Sequence, residues 1–301
     1  MFEYIKDYLK ANDVEYKENC NLSKLSHIRT GGNAKMLILP KNKSEFLHIM
    51  DFFRMCNQDY IVVGGMSNIL PSDRGYDGIL IKTDRISQQS IDGGKVYAEC
   101  GRHFPSLSRS FIDFGLSGAE KLGGIPGTLG GMIAGNAGAF GAEISHLVVS
   151  IDAYDRNSGK VVVIDAGDAD FSYRHSIFRD GRLVILSAVL QLCESDSYTV
   201  REQTEIYRAR RRSGQPYRLP SLGSVFKKPS PDVFVGKMIE DSGLKGLAIG
   251  GAQISEKHAG FIVNIGGAIS ADVVALINTV IAVVYEKYGI TLELEIIPLG
   301  F

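Results

Sequence analysis

The chain has 301 residues, a formal net charge of −1 and a hydrophobic content of 45%. This length is enough for two or three domains, and this composition is typical of an ordinary globular protein. The near-zero net charge argues against a surface dedicated to nucleic acid. Phe2, Ile5 and Leu9 have helical spacing in a mixed-charge segment. We therefore expect an opening helix there and not a signal peptide.

The cysteines and histidines give no sign of a metal site. Cys20, Cys56, Cys100 and Cys193 are scattered, without a C-x-x-C pair, and the six histidines lack H-E-x-x-H spacing. Such cysteines are typical of free thiols in a reducing compartment. We therefore expect neither disulfides nor a bound metal.

The first third of the chain predicts alternating strands and helices. Apolar residues recur at helical spacing after Ser44, which has the side chain of an N-cap, while β-branched residues mark the strands. In chain order the predicted elements are a turn and strand within 26–40, a helix from Ser44, strands at 60–63 and 96–100, and a helix at 105–114.

The remainder predicts more strands and then a separate α/β unit. An Arg-rich helix at 198–214 reads as a linker, and the turn-forming residues 214–220 mark its end. A long periodic helix follows, with Ser270 as its expected N-cap and Gly289 as its stop. The predicted strands of this part are 146–154, 160–165, 183–192, 223–229, 258–266 and 291–301, with a short helix at 233–243.

The stretch from Gly115 to Gly141 contains ten of the 34 glycines. Glycine-rich turns expose successive backbone N–H groups, which form concavities suited to an anion such as a pyrophosphate. We therefore predict a loop that binds a dinucleotide. The stretch lacks G-x-G-x-x-G and the P-loop motif, and Pro126 interrupts an apolar run too short for a membrane. A purely structural crossing of two glycine-rich elements remains the alternative.

A second glycine motif follows the predicted strand at 60–63. Gly64 and Gly65 precede Met66, Ser67 and Asn68. A buried strand that ends in this way can present backbone and hydroxyl donors to phosphate oxygens. A plain hairpin turn is the alternative interpretation.

Six stretches in this order carry a resemblance to a known family. The chain resembles the UDP-N-acetylenolpyruvoylglucosamine reductases from about residue 22 to the C-terminus. The stretches are GGMSNIL, GIPGTLGGMIAGNAGAFGAE, SYRHSIF, LPSLGSVFKKP, LKGLAIGGAQISEKHAGFIVN and LELEIIPLG.

The resemblance implies an α+β fold with three domains. Residues 1–83 and 84–205 would be two α/β subdomains of an FAD-binding fold of the vanillyl-alcohol-oxidase/p-cresol-methylhydroxylase type. Residues 206–301 would be an α/β substrate-binding domain, with the last strand returning towards the flavin. No obvious insertion is visible in the last domain, which resembles the shorter subclass that lacks a tyrosine-bearing substrate loop.

The resemblance also implies the reaction. NADPH would reduce non-covalently bound FAD, and the flavin would pass hydride to UDP-N-acetylglucosamine enolpyruvate, giving UDP-N-acetylmuramate for peptidoglycan precursor synthesis. A cytoplasmic monomer without a nucleic-acid or membrane partner is expected. The FAD-lining positions implied by the motifs are Gly64, Gly65, Ser67, Asn68, Gly124, Ile125, Gly127, Thr128, Gly131, Asn136 and Gly138.

Three residues would carry the chemistry on the substrate. By motif position, Arg174 and Glu295 would polarise the carboxylate and enolate, and Ser224 would donate the proton. On residue pattern alone, Arg174 and Ser224 read more readily as an ordinary surface charge and a small polar filler, Glu295 could simply face solvent, and only the family register favours Glu295 over Glu293. The implied substrate-binding residues are Tyr173, Gln215, Lys227 and Lys237.

The sequence leaves two alternatives and shows three departures from the family pattern. A flavin-dependent sugar-alcohol oxidase of the same fold is one alternative, and a non-catalytic module that binds FAD or UDP-sugars is the other. The family often has Gly at Met66, Asn at Lys228 and Arg at Ile297. None of these positions belongs to the implied catalytic trio, so we expect an active enzyme.

Overall fold

The computed structural model describes residues 2–301, which contain seven α-helices and nineteen β-strands. The helices are α1 (Phe2–Ala11), α2 (Lys43–Met55), α3 (Phe104–Asp113), α4 (Leu129–Ala134), α5 (Ser197–Gly214), α6 (Val235–Asp241) and α7 (Ser270–Tyr288). The strands are β1 (Tyr16–Asn21), β2 (Asn33–Ile38), β3 (Ile61–Val63), β4 (Ile69–Pro71), β5 (Tyr76–Lys82), β6 (Gln89–Asp92), β7 (Lys95–Glu99), β8 (Leu116–Ser117), β9 (Gly138–Ala139), β10 (Ala142–Glu143), β11 (Val148–Asp155), β12 (Lys160–Asp165), β13 (Leu183–Gln191), β14 (Cys193–Glu194), β15 (Ser221–Ser224), β16 (Ala248–Ile249), β17 (Ala252–Ile254), β18 (Phe261–Asn264) and β19 (Ile297–Leu299).

These residues group into two compact units, each with its own apolar core. Unit 1 comprises residues 2–18, 36–65 and 78–209, and unit 2 comprises residues 19–35, 66–77 and 210–301. Helices and mainly antiparallel sheets occur together, as predicted for an α+β protein. The division into three domains stays a prediction.

Unit 1 is built on a five-stranded antiparallel sheet with the order β12-β11-β13-β7-β6. Helix α3 has one buried apolar face, which contains Phe104, Leu107 and Phe111 at helical spacing. Full burial of each such side chain contributes roughly 1.5–3 kcal/mol. These side chains belong to the same apolar core as residues of the sheet.

The second sheet has the order β1-β2-β5-β3, and helix α2 presents Phe46, Ile49 and Phe53 to the core of unit 1. The predicted N-cap of this helix is wrong. Asn42, in extended backbone, accepts a hydrogen bond from the Glu45 amide at 2.9 Å. Ser44 instead lies within the first turn, because the helix begins one residue before it.

Unit 2 is built on a four-stranded antiparallel sheet with the order β15-β18-β17-β16. Helix α7 covers the core with an apolar face that includes Val273, Leu276, Val280 and Val284. This periodic helix is confirmed, and Gly289 ends it with a left-handed φ of 66°, as predicted.

Several predicted strands of unit 2 are shorter than their apolar pattern indicated. Of 258–266 only β18 is extended, because His258 starts a turn in which its carbonyl accepts from the Phe261 amide. Of 291–301 only β19 and an isolated bridge between Leu294 and Phe226 are paired. The apolar runs therefore predicted that a strand lies in each segment but did not predict the residues at which it begins and ends.

The N-terminus of α7 is capped by a residue that is remote in sequence. Asp73 accepts from the Ser270 amide at 2.7 Å and from the Ala271 amide at 2.8 Å. Ser270 is therefore the first helical residue and not the cap; its hydroxyl donates to the Pro71 carbonyl at 2.5 Å. The carboxylate satisfies two otherwise unpaired N–H groups and also complements the helix dipole.

Replacing Asp73 with alanine should destabilise the protein. Loss of an N-cap typically costs about 0.5–2 kcal/mol, so the melting temperature should fall by roughly 1–8 °C. Asp77→Ala is the matched control, because Asp77 is exposed and pairs with Lys35 at 2.9 Å on the surface. Equal melting temperatures for the two variants would contradict the capping role.

Three general features complete the description. Across residues 2–301, no helix combines the length and the apolar character that a membrane crossing requires. The four cysteines are free thiols, as predicted. Within the same described residues, no group of three or more His, Cys, Asp or Glu side chains is arranged to hold a metal ion.

Candidate active site

Two glycine loops of unit 1 approach each other with no room for a side chain between them. A Cβ atom on Gly64 would lie 2.2 Å from Thr128 Oγ1, and one on Gly65 would lie 3.3 Å from Gly127 Cα. Gly127 also has a φ of 128°, which favours glycine. The two loops therefore pack closely against each other, and glycine-rich main chain of this kind can approach a pyrophosphate closely.

The second of these loops is held firmly from beneath. The Phe104 amide donates to the Gly127 carbonyl at 2.9 Å, and the Gly130 amide donates to the Cys100 carbonyl at 2.8 Å. Thr128 is buried and caps α4, with its hydroxyl oxygen 3.4 Å from the Gly131 amide. These contacts fix the loop without a ligand, and they already engage the amides of Gly130 and Gly131.

His103 lies beside the first loop but does not add a cation there. Its Cε1 atom would lie 3.6 Å from a Cβ on Gly65. Burial lowers the pKa of the His103 imidazole, and the nearby Lys82 and Arg102 act in the same direction. The lowered pKa favours the neutral form of the imidazole.

The remaining predicted flavin-lining residues differ in how far a ligand can reach them. Asn136, like Thr128, is buried. Ser67 and Asn68 belong to unit 2 and are half-buried. The unit 1 positions with accessible surface are Gly64, Gly65, Gly124, Ile125, Gly127 and Gly138, which are half-buried, and Gly131, which is exposed.

Tyr173 and Arg174 form the tip of a tight turn in unit 1. The main chains of Ser172 and His175 exchange two hydrogen bonds, of 3.2 and 3.1 Å. Arg174 has a left-handed φ of 57°, and its Nη2 atom donates to the Gly138 carbonyl at 3.4 Å. Its guanidinium also lies 5.0 Å from the Tyr173 ring centre. A non-glycine residue in this backbone conformation often marks a functional position.

Two residues that the sequence did not single out support this turn. Arg179 Nη1 donates to the Arg174 carbonyl at 3.2 Å, and Ser176 Oγ donates to the Ala134 carbonyl at 2.9 Å. Both lie in the stretch SYRHSIFR that contains the turn, but residue type alone did not distinguish them from neighbouring polar residues.

In unit 2 the segments that carry Ser224 and Glu295 lie side by side. Ser224 ends β15, and the next residue, Val225, accepts from the Glu295 amide at 2.8 Å. Farther along, the Lys227 amide donates to the Glu293 carbonyl at 2.9 Å. Ser224 and Glu295 are both half-buried. The main-chain pairing therefore brings these two predicted catalytic residues into one region of unit 2.

The two glutamates of the last segment have different surroundings. Glu293 has a side chain that is 74% exposed and forms an ion pair with Lys227 at 3.2 Å. Glu295, two residues later, is half-buried. The role of Glu295, which the register of the motif favours over Glu293, stays a prediction. The ion pair places Lys227, a predicted substrate ligand, beside Glu293.

Asn68, a predicted flavin-lining residue, is bonded to the main chain of Glu295. Its Nδ2 atom donates to the Glu295 carbonyl at 3.0 Å, and its own carbonyl accepts from the Ile297 amide at 2.9 Å. These bonds continue into the parallel pairing of β4 with β19. Asn68 therefore helps to fix the chain on both sides of Ile296.

The other predicted substrate ligands of unit 2 are each paired with a neighbouring side chain. Lys237 is exposed on α6 and pairs with Asp241, whereas Gln215 Oε1 accepts from Arg211 Nη1 at 3.2 Å. A cavity of about 550 Å³ that the sequence did not reveal has a basic lining with one acidic residue. Its lining residues are Arg212, Pro216, Tyr217, Arg218, Leu219, Gln253, Ser255, Glu256, Lys257 and Val263.

Two family models match the chain. Residues 34–165 match the model described as an FAD binding domain. Residues 215–299 match the model described as the C-terminal domain of UDP-N-acetylenolpyruvoylglucosamine reductase. The first match includes the glycine loops of unit 1, and the second includes Ser224 and Glu295.

Whole-length relatives bear the same name. The chain is 41% identical over 295 residues to a UDP-N-acetylenolpyruvoylglucosamine reductase of Caldicellulosiruptor bescii, covering 97% of this chain and 93% of the relative. It is 36% identical to one of Streptococcus pneumoniae, covering 99% and 98%. A solved structure of UDP-N-acetylenolpyruvylglucosamine reductase from Thermus caldophilus superposes with a TM-score of 0.79 at 30% identity, covering 95% and 98%.

Proposed function

The chain belongs to the UDP-N-acetylenolpyruvoylglucosamine reductase family, and we propose that it reduces UDP-N-acetylglucosamine enolpyruvate to UDP-N-acetylmuramate. NADPH is the reductant, and FAD is the non-covalent cofactor. The observation that carries the proposal is the 41% identity to a named reductase across 97% of this chain. The bare glycine cradle of unit 1 supports it independently, because the cradle suits the diphosphate of FAD.

The chain's own residues fit the cofactor. Gly64, Gly65 and Gly127 would hold the diphosphate by main-chain N–H groups, because no side chain fits between their loops. The half-buried Gly124, Ile125 and Gly138, with Gly131 and the unit 2 residues Ser67 and Asn68, complete the proposed lining. When bound, FAD accepts a hydride from NADPH and supplies one to the substrate.

Three side chains would act on the substrate. Hydride addition to one carbon of the enolpyruvyl double bond leaves negative charge on the neighbouring carbon and the carboxylate. Arg174 and Glu295 would polarise the carboxylate and enolate, and the cationic Arg174 would bind the carboxylate and stabilise the developing charge. The Ser224 hydroxyl would then donate its proton to the carbon and regain one from water. The net consumption is one NADPH and one proton for each product.

The UDP part of the substrate needs cationic and polar ligands. Lys227, Lys237 and Gln215 are proposed here by motif position, with Tyr173 beside the reacting group. The basic cavity of unit 2 adds Arg212, Arg218 and Lys257 as candidates for the diphosphate. The proposal also retains the three domains at 1–83, 84–205 and 206–301, and a cytoplasmic monomer with no nucleic-acid or membrane partner.

A paired substitution tests the choice between the two glutamates. Glu295→Gln should slow reduction of the enolpyruvyl group roughly 10- to 100-fold, as expected for loss of a charge-assisted contact. Glu293→Gln, which removes an exposed charge, should leave the rate within about twofold, since exposed ion pairs contribute little. Anaerobic single-turnover rates measure both. The reverse pattern would transfer the role to Glu293.

One steady-state assay separates the proposed function from its alternatives. Without oxygen, the protein should oxidise more than one equivalent of NADPH per flavin only when the enolpyruvyl substrate is present, and the product should be heavier than the substrate by two hydrogens. An oxidase would instead consume oxygen with a simple polyol and without NADPH. A non-catalytic module would bind FAD or a UDP-sugar and turn over neither substrate.

A further inference from the structure

The geometry points to Asn136 as a residue that positions Arg174, and not as a ligand of the flavin. The inference rests on the proposed function, because Arg174 is taken as the group that binds the substrate carboxylate. Asn136 lies in the glycine-rich stretch, where its motif position implied contact with FAD. Its exposed fraction is 0%. Neither its side chain nor its main chain is accessible to a bound molecule in this structure.

The side-chain amide of Asn136 is already engaged within unit 1. Its Nδ2 atom donates to Glu143 Oε2 at 2.8 Å and to the Ser172 carbonyl at 2.9 Å. Its Oδ1 atom accepts from the Ser145 amide at 3.3 Å. Both N–H groups of the amide therefore have acceptors, so no donor is left for a phosphate or a flavin oxygen.

The partners of Asn136 lead directly to Arg174. Ser172 opens the turn that has Arg174 near its tip, so the bond to the Ser172 carbonyl fixes the start of that turn. Gly138, two residues after Asn136, accepts from the Arg174 guanidinium at 3.4 Å. One short segment thus holds both the main chain of the turn and the side chain at its tip.

Glu143 links Asn136 to Gly138. It pairs with Gly138 across the β9–β10 hairpin, and a Cβ on Gly138 would lie 2.9 Å from Glu143 Cγ. The same carboxylate accepts from Asn136. Asn136 itself has a φ of 40°, a conformation that asparagine and glycine tolerate better than most residues. This backbone conformation makes a clean substitution available.

Asn136→Gly should preserve the backbone and delete only the amide. We expect the purified variant to keep its full complement of FAD and to be reduced by NADPH at a rate within about twofold of the wild type. Reduction of the enolpyruvyl substrate should slow about tenfold, as expected for loss of one buried hydrogen bond that orients a catalytic group. Asn57→Gly is the matched control, because Asn57 is an exposed asparagine with a φ of 50°. It should change neither half-reaction.

A double-mutant cycle distinguishes positioning from a general structural effect. In an Arg174→Ala background, Asn136→Gly should slow the substrate half-reaction no further, because the group that it positions is gone. Additive slowing, or loss of FAD from Asn136→Gly, would overturn the inference.

A second variant, Asn136→Asp, covers the case in which the glycine variant does not fold. It keeps an acceptor for the Ser145 amide but places an oxygen against the Glu143 carboxylate and the Ser172 carbonyl, to which the asparagine donates. It should retain FAD and slow the same half-reaction, and loss of FAD or an unchanged rate would count against positioning. A wild-type protein that never reduces the enolpyruvyl substrate would instead refute the proposed function.

Discussion

Ser224→Ala is expected to slow reduction of the enolpyruvyl group roughly 10²-fold or more, while reduction of FAD by NADPH stays nearly unchanged. The reason is that the proposed proton donor is needed only after hydride has reached the substrate. Removal of a positioned general acid typically lowers the rate of such a proton-transfer step by about 10²- to 10⁴-fold. Anaerobic stopped-flow absorbance of the flavin measures the two half-reactions separately.

The control for this prediction lies on the same strand. Ser221→Ala removes a second half-buried hydroxyl from β15 and should leave both rates within about twofold, the usual range for a minor surface change. Ser224→Cys, which retains an ionisable proton on the side chain, should recover part of the lost rate. Equal slowing of both half-reactions by Ser224→Ala would show that the serine has a different role.

Gly64→Ala is expected to yield a protein without bound FAD. The added Cβ would lie 2.2 Å from Thr128 Oγ1, so the buried Thr128 side chain would have to be displaced or the two glycine loops would have to separate. Their N–H groups would then lose the arrangement on which diphosphate binding depends. The purified variant should be colourless and should not regain flavin absorbance on incubation with FAD.

Two further variants test whether this loss is steric. Gly167→Ala should keep its flavin, because a Cβ there would meet nothing within 4 Å. The double variant Gly64→Ala/Thr128→Ala removes the clashing hydroxyl and should recover part of the FAD binding, although it also loses the cap of α4. A yellow Gly64→Ala protein with unchanged affinity for FAD would place the cofactor elsewhere.

The sequence predicted elements whose signals are local and missed those that depend on distant partners. Helix α7 follows from its apolar spacing, and its end follows from Gly289, because both signals lie within the helix or next to it. Its N-cap could not be predicted, since Asp73 is 197 residues away from Ser270. The same reason explains the strand ends of unit 2, which depend on where a neighbouring segment stops pairing.

In the candidate site, too, features with local signals were predicted and features that depend on distant residues were missed. The glycine loops were predicted from composition, because a high local density of glycine can be read directly from the sequence. The roles of the asparagines were not, since Asn136 and Asn68 bond to carbonyls that are 36 and 227 residues away. The basic cavity was also missed, because its lysine and arginines come from separate segments that each look like solvated surface.

The most direct test is a single turnover without oxygen. The wild-type protein is first reduced by one equivalent of NADPH and then mixed with UDP-N-acetylglucosamine enolpyruvate. The account predicts rapid return of the oxidised flavin absorbance, with one UDP-N-acetylmuramate formed for each flavin. Flavin that stays reduced until oxygen enters, with the enolpyruvyl compound recovered unchanged, would contradict it.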